Sequence, residues 1–451
     1  VKSYEKYIDT HIQWLHDIPS HWEIIRNKDF ISEKREKSID GKEDLLSVSQ
    51  YSGIKPKGTS DGNKIGMSRA ESLVGYKVVK NDDFVMNIML AWNGSQAVSR
   101  YNGVVSPAYC VFQIADRYNP WFYHYLFRTE IYKAIFKRNS TGVIESRLRL
   151  YPNKFFSLFS LCPPRSEQDQ IVKFLDSKIY KINKFIKAKK REIELLNEQK
   201  QTEINRAVTK GLNPNATIKH SGIEWLGEIP EHWKLKRIKN VLVELEERSI
   251  QGDEEPLSMS QKYGIIKSSE LSIPNSASTY VGGKIAHKNN LVFNKLKAHL
   301  GVFSVSKYEG VVSPDYAVYS VIHQDSVEFL EKLFKTKEYI QQFIRHSRGI
   351  APGLRRLYTF DLFNIKIAIP ELSEQLSIID HISNLEAKIS FAIDRIESQI
   401  KLVQEYKSSL ISDTVTGRVD VRNIKIDHGF ELNQPALIEE DVEEEQSIDE
   451  Q

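Results

Sequence analysis

The chain has 451 residues, 40% of them hydrophobic, enough for two or three domains with real cores. Its net charge of +3 averages two unlike regions: nine acidic residues and no Lys or Arg follow from Glu431 onward, leaving 63 basic against 51 acidic residues, a net +12, in the body. The two cysteines, Cys110 and Cys162, have no CxxC partner or His cluster, which excludes a disulfide framework and a zinc site and fits a reducing compartment.

A basic body suits a polyanionic partner such as nucleic acid, although solvated Lys-rich faces give the same excess. Residues 1–9 are polar, so no signal peptide is expected, and no apolar run approaches bilayer length. The expected location is the cytoplasm, with no membrane contact.

In chain order, residues 1–22 form an N-terminal segment ending in Ile18-Pro19-Ser20-His21-Trp22. A globular unit follows over 23–164. Lys77-Val78-Val79 and Phe84-Val85-Met86 predict short strands around an Asn-Asp-Asp turn, and Val104-Val105 with 108–114 predict another pair, broken at Ser106-Pro107. Residues 120–136 are aromatic-rich at helical spacing and predict one helix. A polar loop at 139–142 precedes Arg147 and Arg149, and 155–161 predict a last apolar strand before Pro163-Pro164.

Residues 165–212 predict a long helix, with Ser166 as its N-cap and Asp169 three residues on. Its heptad a positions are Val172, Ile179, Ile186, Ile193 and Lys200; its d positions are Leu175, Ile182, Lys189, Leu196 and Glu203. Gly211 and Asn213-Pro214 stop it. An apolar seam of that length predicts a coiled coil about 60 Å long.

From the linker at 213–233 the chain repeats itself. Ile229-Pro230-Glu231-His232-Trp233 echoes the first phrase at an offset of 211, and Leu257-Ser258-Met259-Ser260-Gln261 echoes Leu46-Ser47-Val48-Ser49-Gln50. After a four-residue deletion the offset is 207, as in Gly310-Val311-Val312-Ser313-Pro314 against Gly103-Val104-Val105-Ser106-Pro107. A second globular unit therefore occupies 234–371 and a second long helix 372–417. Its a positions are Ile379, Glu386, Ile393, Ile400 and Lys407; its d positions are Ile382, Ile389, Ile396, Val403 and Leu410. Residues 418–451 close the chain with an acidic tail, expected to be disordered. The fold class is α+β: two tandem-repeat units separated by two helices that pair as an antiparallel coiled coil with pseudo-two-fold symmetry.

The residues carry no recognisable catalytic signature. There is no Walker-type loop, no GxGxxG after a strand, no Asn-Pro-Pro-aromatic motif, no HExxH, GxSxG or EF-hand loop, and no acidic spacing of a nuclease metal site. His21 and His232 are expected to anchor structure, the neighbouring Trp entering the core while the His bonds the turn. The positions shared by the copies shape backbone and core; the polar loops differ. Those loops, 87–94 and 138–149 against 294–301 and 345–356, supply the candidate DNA contacts. In the first copy they are Gln50, Trp92, Asn93, Arg138, Ser140, Arg147 and Arg149. In the second they are Gln261, Lys295, Lys297, His299, Arg345, Arg348, Arg355 and Arg356. Arg and Lys suit phosphates and guanine edges, and Asn and Gln suit adenine, while each is also an ordinary surface residue.

Over essentially its whole length the chain resembles the specificity subunits of type I restriction-modification systems. The resemblance rests on the Ile-Pro-x-His-Trp phrases, on Pro163-Pro164-Arg165-Ser166-Glu167-Gln168 with its echo Pro370-Glu371-Leu372-Ser373-Glu374-Gln375, on the stretch 411–422, and on the duplication. It implies two target-recognition domains, each reading one half of a split site in double-stranded DNA, and a coiled coil that sets the gap. It also implies two modification subunits docked on the helices, with S-adenosylmethionine, and restriction subunits with ATP and Mg. This chain would be non-catalytic, with no cofactor or metal of its own. Two other readings stay open: a coiled-coil scaffold bridging two proteins without nucleic acid, and an enzyme with an unrecognised site.

Overall fold

The computed structural model describes residues 3–12, 14–15, 17–57, 72–144, 147–261, 263–271, 279–323, 325–349 and 355–426. The acidic tail and part of the 345–356 loop lie outside the described residues. The chain divides into two compact units, residues 1–192 with 396–451 and residues 193–395.

In chain order the first copy holds β1 (Tyr7–Ile8), β2 (Ile18–Pro19), β3 (Glu23–Arg26), β4 (Ile31–Lys34), β5 (Leu46–Ser49), β6 (Gly53–Pro56), β7 (Lys77–Val79), β8 (Phe84–Asn87), β9 (Gln96–Val98), β10 (Gly103–Val105) and β11 (Tyr109–Ile114). Helices α1 (Pro120–Phe127), α2 (Glu130–Asn139) and α3 (Pro152–Ser157), strand β12 (Phe159–Cys162) and the long helix α4 (Arg165–Lys210) complete it. The second copy repeats every strand and α-helix in the same order. Its strands are β13 (Ile218–His220), β14 (Glu228–Pro230), β15 (Lys234–Arg237), β16 (Leu242–Leu245), β17 (Leu257–Ser260), β18 (Gly264–Lys267), β19 (Lys284–Ala286), β20 (Leu291–Asn294), β21 (Phe303–Val305), β22 (Gly310–Val312), β23 (Tyr316–Val321) and β24 (Lys366–Ile369). Its helices are α5 (Val327–Phe334), α6 (Lys337–His346), α7 (Thr359–Asn364) and the long α8 (Leu372–Val415).

A four-stranded antiparallel sheet, β4-β11-β8-β9 in one copy and β16-β23-β20-β21 in the other, forms the middle of each unit. Period-two alternation explains why its strands read as continuous apolar runs. Phe84, Met86, Cys110 and Phe112 face one core with the α1 residues Phe122 and Phe127, whereas Val85 and Val111 face a second core with Leu46, Val48 and Ile54. In the second copy Leu291, Phe293 and Tyr319 face one side, and Val292 and Val318 the other.

Four local expectations are corrected. The two apolar runs before and after Ser106-Pro107 do not pair with each other; β10 pairs with β7, and β11 with β8 and β4. The stretch 120–136 is two helices, because the Thr129 side chain caps α2 by accepting from the Tyr132 amide. The predicted strand at 155–161 opens as helix, with Pro152 at its first turn, and becomes strand only at Phe159. Ser166 is not the N-cap: α4 begins at Arg165, and the Pro164 carbonyl accepts the Glu167 and Gln168 amides.

The repeated phrases meet the starts of the long helices. Glu167, 5% exposed, accepts from the Trp22 indole (3.1 Å), from the Tyr4 hydroxyl (2.6 Å) and bonds His21 Nε2 (2.8 Å). Burial first, and then the Glu167 carboxylate, push the Tyr4 phenol far above its ordinary range. Glu374 does the same for Trp233 (3.2 Å) and His232 (2.7 Å). The tryptophans enter the core as expected, but each His bonds a helix carboxylate rather than its own turn. The next residue is a second tie. Buried Gln168 donates to the Pro163 carbonyl (2.8 Å) and accepts from the Asn119 amide (2.8 Å); Gln375 repeats this with Pro370 (3.0 Å) and Ser326 (2.8 Å). The Glu-Gln pair of each motif is thus a structural clasp.

The long helices pair inside each unit. In the first, Val172, Leu175 and Ile179 share a core with Leu410 and Val415. Lys407 donates to Asn183 (2.8 Å), and Gln170 to the carbonyls of Val421 (3.1 Å) and Ile424 (2.9 Å). The rising number on α4 meets a falling one on α8, so the pairing is antiparallel. In the second unit Ile204, Ala207 and Val208 share a core with Ile378 and Ile382. The seam follows the heptad frame: Ile179, Ile186, Ile382, Ile389, Ile396 and Leu410 are all buried. Among the charged seam residues, Lys407 bonds across the helix pair, Glu386 turns to Lys332 (2.6 Å), and Lys189 and Glu203 pair within α4. Gly211 and Gly417 end the helices at φ 76° and 78°, the left-handed conformation that glycine adopts without strain. No helix among the described residues is long and apolar enough to cross a membrane.

Glu167→Ala removes the acceptor for two buried donors and is expected to cost about 3 kcal/mol. Glu374→Ala should cost less, since Glu374 is 28% exposed on its side chain and serves one donor fewer. Denaturant unfolding of the full chain checks this ordering; equal losses would contradict the role assigned to burial.

Candidate nucleic-acid interface

The expected contact loops are built identically in the two copies and stitched together. After β8, the Asn87 side chain accepts the Met89 amide (3.1 Å) and Gly94 closes the turn at φ 94°. After β20, Asn294 accepts the Leu296 amide (3.1 Å) and Gly301 closes the turn at φ 78°. Beyond the next helix pair the chain returns as a narrow bridge. Thr141 and Arg149 exchange backbone bonds (2.9 and 3.0 Å), as do Arg348 and Arg356 (3.0 and 2.8 Å). The amide after each bridge then bonds the first turn: Leu150 to the Ile88 carbonyl (2.9 Å), and Leu357 to the Lys295 carbonyl (3.0 Å). A Cβ on Gly142 would lie 2.6 Å from the Arg147 carbonyl, so the bridge closes tightly there.

In the first copy this brings most candidates onto one edge. The Asn93 amide donates to Gln50, and Lys137 lies over the Trp92 ring at 5.2 Å. The Trp92 indole donates to its own turn at Met89 (3.0 Å), leaving its ring for contact. Arg138, Arg147 and Arg149 are exposed, with no ion pair among the described residues. Ser140 stands apart: its hydroxyl donates to the Phe136 carbonyl (2.7 Å) and finishes α2.

The second copy is more internally paired. Arg348 binds Asp361 (2.6 Å) and Arg356 binds Asp315 (3.1 Å), while Gln261 donates to the Leu300 carbonyl (3.2 Å). Arg345 and Lys297 are exposed without a carboxylate partner among the described residues. Burial, then Arg355, lower the pKa of His299 and keep its ring neutral at pH 7; its buried Nδ1 has no partner among the described residues. Burial and the nearby Lys284 ammonium likewise lower the pKa of Lys295, with Arg356 adding to this and Glu244 opposing it.

Two features escaped sequence reasoning. Arg128 donates to the carbonyls of Gln50, Tyr51 and Gln96 (3.0 Å each) and so fixes the loop carrying Gln50. Its only signal was an Arg before a helix cap. Val143, fully exposed, and Ile144, half exposed, present apolar side chains beside Arg147; nothing in their local pattern distinguished them from core residues. Among the described residues no group of three His, Cys, Asp or Glu is placed to hold a metal ion.

Comparison with known proteins bears on these two scaffolds. Residues 230–402, the second copy and much of α8, match the family model described as type I restriction modification DNA specificity domain. The type I restriction enzyme MjaVIII specificity subunit of Methanocaldococcus jannaschii is 24% identical over 436 residues, covering 90% of this chain and 95% of that protein. The putative MjaX specificity subunit of the same organism is 26% identical over 329 residues, 68% of this chain and 70% of that one. In fold, the chain resembles the HsdS subunit from Thermoanaerobacter tengcongensis, with a TM-score of 0.52 at 13% identity over 90% of this chain and 99% of that one. It also resembles a chain solved in work on complex assembly and conformational transition of the type I R-M system, with a TM-score of 0.62 at 13% identity over 89% and 99% of the two chains. With its duplicated sheets and clasped helix starts, the chain is similar over most of its length to specificity subunits of type I restriction-modification systems.

Proposed function

We propose that the chain reads a bipartite site in double-stranded DNA, one half-site per copy, and carries two modification subunits to it. One observation carries this reading: the two copies share every strand and α-helix and the same stitched loops, yet the side chains on those loops differ. Ile88 faces Lys295 in the repeat, and Trp92 faces His299. A duplicated scaffold with unlike text is what a split, asymmetric sequence requires. In the first copy Arg147 and Arg149 take phosphates or guanine edges, Gln50 and Asn93 present amides, and Val143 and Trp92 offer apolar contact. In the second, Arg345, Lys297 and Lys295 lead, with Arg355 beside His299; Arg348 and Arg356 contribute by exchanging their carboxylates for phosphate.

The helices set the gap between half-sites, since α4 and α8 each continue unbroken from one unit into the other. Away from the seam they expose large apolar side chains: Phe185, Leu402 and Tyr406 in the first unit, Leu195, Leu376 and Phe391 in the second. Exposed large apolar side chains on the helices fit protein partners, here the modification subunits. In this reading the chain is non-catalytic and acts in the cytoplasm. Methylation with S-adenosylmethionine, and cleavage with ATP and Mg, belong to the modification and restriction subunits.

Methylome sequencing of cells carrying the complete system tests the proposal and gives both half-sites with their spacer. Arg147→Ala with Arg149→Ala should relax or weaken one half-site by about 1–3 kcal/mol per lost base contact and leave the other unchanged; change at both ends would contradict independent readers. Removing one heptad from each helix shortens the rod by about 10 Å, near three base pairs. The accepted spacer should shorten while both half-sites stay; altered half-sites would sink the spacing role. Lys295, with its lowered pKa, holds more neutral amine than ordinary lysines near pH 8, so it should acylate among the first in competitive labelling, and specific DNA should protect it. Ordinary labelling kinetics, or no protection, would remove it from the contact set.

A further inference from the structure

The outward face of α4 in the first unit carries a row of cations that its repeat lacks. Between Lys173 and Arg191 there are eight Lys or Arg residues and one carboxylate, Asp176. Asp176 is buried and engaged by the Tyr125 hydroxyl (2.5 Å). Lys184, Lys187 and Arg191 follow Lys173 by eleven, fourteen and eighteen residues, which returns all four to one side of the helix. The opposite side holds Val172, Leu175, Ile179 and Ile186, all buried. Lys173, Lys184 and Lys187 are exposed and have no ion pair among the described residues. We propose that the acidic segment 427–451 of the same chain docks along this lysine face.

The charges are complementary. Like charges three or four residues apart repel on a helix surface, and Lys181, Lys184, Lys187 and Lys190 stand in such a row. Residues 427–451 carry ten Asp or Glu and no Lys or Arg, with six of the acids inside 439–445. Exposed ion pairs are individually weak, but a tethered segment meets its site at an effective concentration on the order of millimolar, so several weak pairs suffice.

The chain also leaves the fold beside this face. Gln170 donates to the carbonyls of Val421 (3.1 Å) and Ile424 (2.9 Å), and Ile424 and Ile426 pack on the core of the first unit. Gln170 lies one turn before Lys173 and adjoins it on the helix surface. Glu439 comes thirteen residues after Ile426, up to about 45 Å of extended chain. Gln170 to Arg191 spans about 30 Å along α4. The acids at 439–445 are therefore within reach of every lysine in the row.

The duplication provides an internal control. At the repeat offset of 207, Lys173, Lys184, Lys187 and Lys190 become Asp380, Phe391, Asp394 and Glu397. The stretch 380–398 thus holds four carboxylates against Lys388 and Arg395. At the same offset 427–451 corresponds to 220–244, which carries four acidic and four basic residues. The lysine row and the acidic segment each occur in one copy only, and both belong to the first unit.

The contact needs no nucleic acid, so its test is separate from that of the reading loops. Carbodiimide coupling of the full chain, read by peptide mass spectrometry, joins a carboxylate to an amine where the two touch. Carboxylates of 439–445 should couple to Lys173, Lys184 or Lys187, and a mixture of isotope-labelled and unlabelled copies should show these links within one chain. Removing 427–451 should raise acetylation of the three lysines about threefold in low salt, and not at all at about 1 M salt, where charges are screened beyond about 3 Å. On heparin the shortened chain should elute at higher salt than the full chain. Combining Lys173→Gln, Lys184→Gln and Lys187→Gln should shrink that shift by about half or more; glutamine matches lysine as a helix former, so the helix survives. Links mainly to lysines off this face, links only between copies, labelling unchanged by removal of the segment, or a heparin shift indifferent to the three substitutions each overturn the proposal. Protection of the three lysines by added duplex DNA and not by 427–451 gives the face to nucleic acid and overturns it as well.

Discussion

The carboxylate at the start of each long helix is the contact on which the architecture depends. Glu167 and Glu374 sit in first turns, where the unpaired amides of a helix favour negative charge. Each spends that charge on an indole N–H and an imidazole from the repeated phrase. A carboxylate 5% exposed, as Glu167 is, is costly to bury unless donors surround it. The phrase supplies the donors, and the adjacent Gln ties the same turn to the segment before α1 or α5. Each globular unit and its long helix are thereby joined by directional bonds. The first clasp has an additional tie. Arg422, near the end of the described chain, lies over the Tyr4 ring at 5.0 Å, and Tyr7 bonds the Gly417 carbonyl (3.1 Å). The start and end of the chain thus do for the first helix what the continuous linker does for the second.

Large-scale organisation was legible because it is written in periodicities. A repeat offset of 211 and then 207 fixed the two copies, and a seven-residue pattern fixed the seam; Ile382, Ile389, Ile396 and Leu410 are buried where that pattern put them. Helix ends were legible at Gly211 and Gly417, since left-handed backbone selects glycine. What failed was local competition. Residues 120–136 have helical periodicity throughout, yet a single threonine hydroxyl capping Tyr132 splits them. Ser166 has the chemistry of an N-cap, but the chain enters α4 one turn position earlier, so the cap role falls to the Pro164 carbonyl.

The candidate contact residues form a neighbourhood rather than a set of free side chains. Sequence places Arg348 and Arg356 among cations at a variable loop; it cannot show that Asp361 and Asp315, thirteen and forty-one residues away, fold onto them. The backbone bridge that joins each pair of loops is equally invisible, because its bonds are independent of side-chain type. That independence is also why the loops accept different text. Positions whose backbone carries the geometry leave their side chains open to change, whereas Asn87 and Asn294 stay Asn because their side chains build the turn.

The same logic separates two kinds of difference between the copies. At the loops, change replaces one exposed group by another and costs the fold little, since surface substitutions away from special features are nearly neutral. Against the helices, change must balance charge. Ile179 and Glu386 hold the same heptad position, one buried beside Leu175 and the other drawn out to Lys332. A carboxylate introduced there requires a cation on the facing helix, and the second copy has one in place of Tyr125.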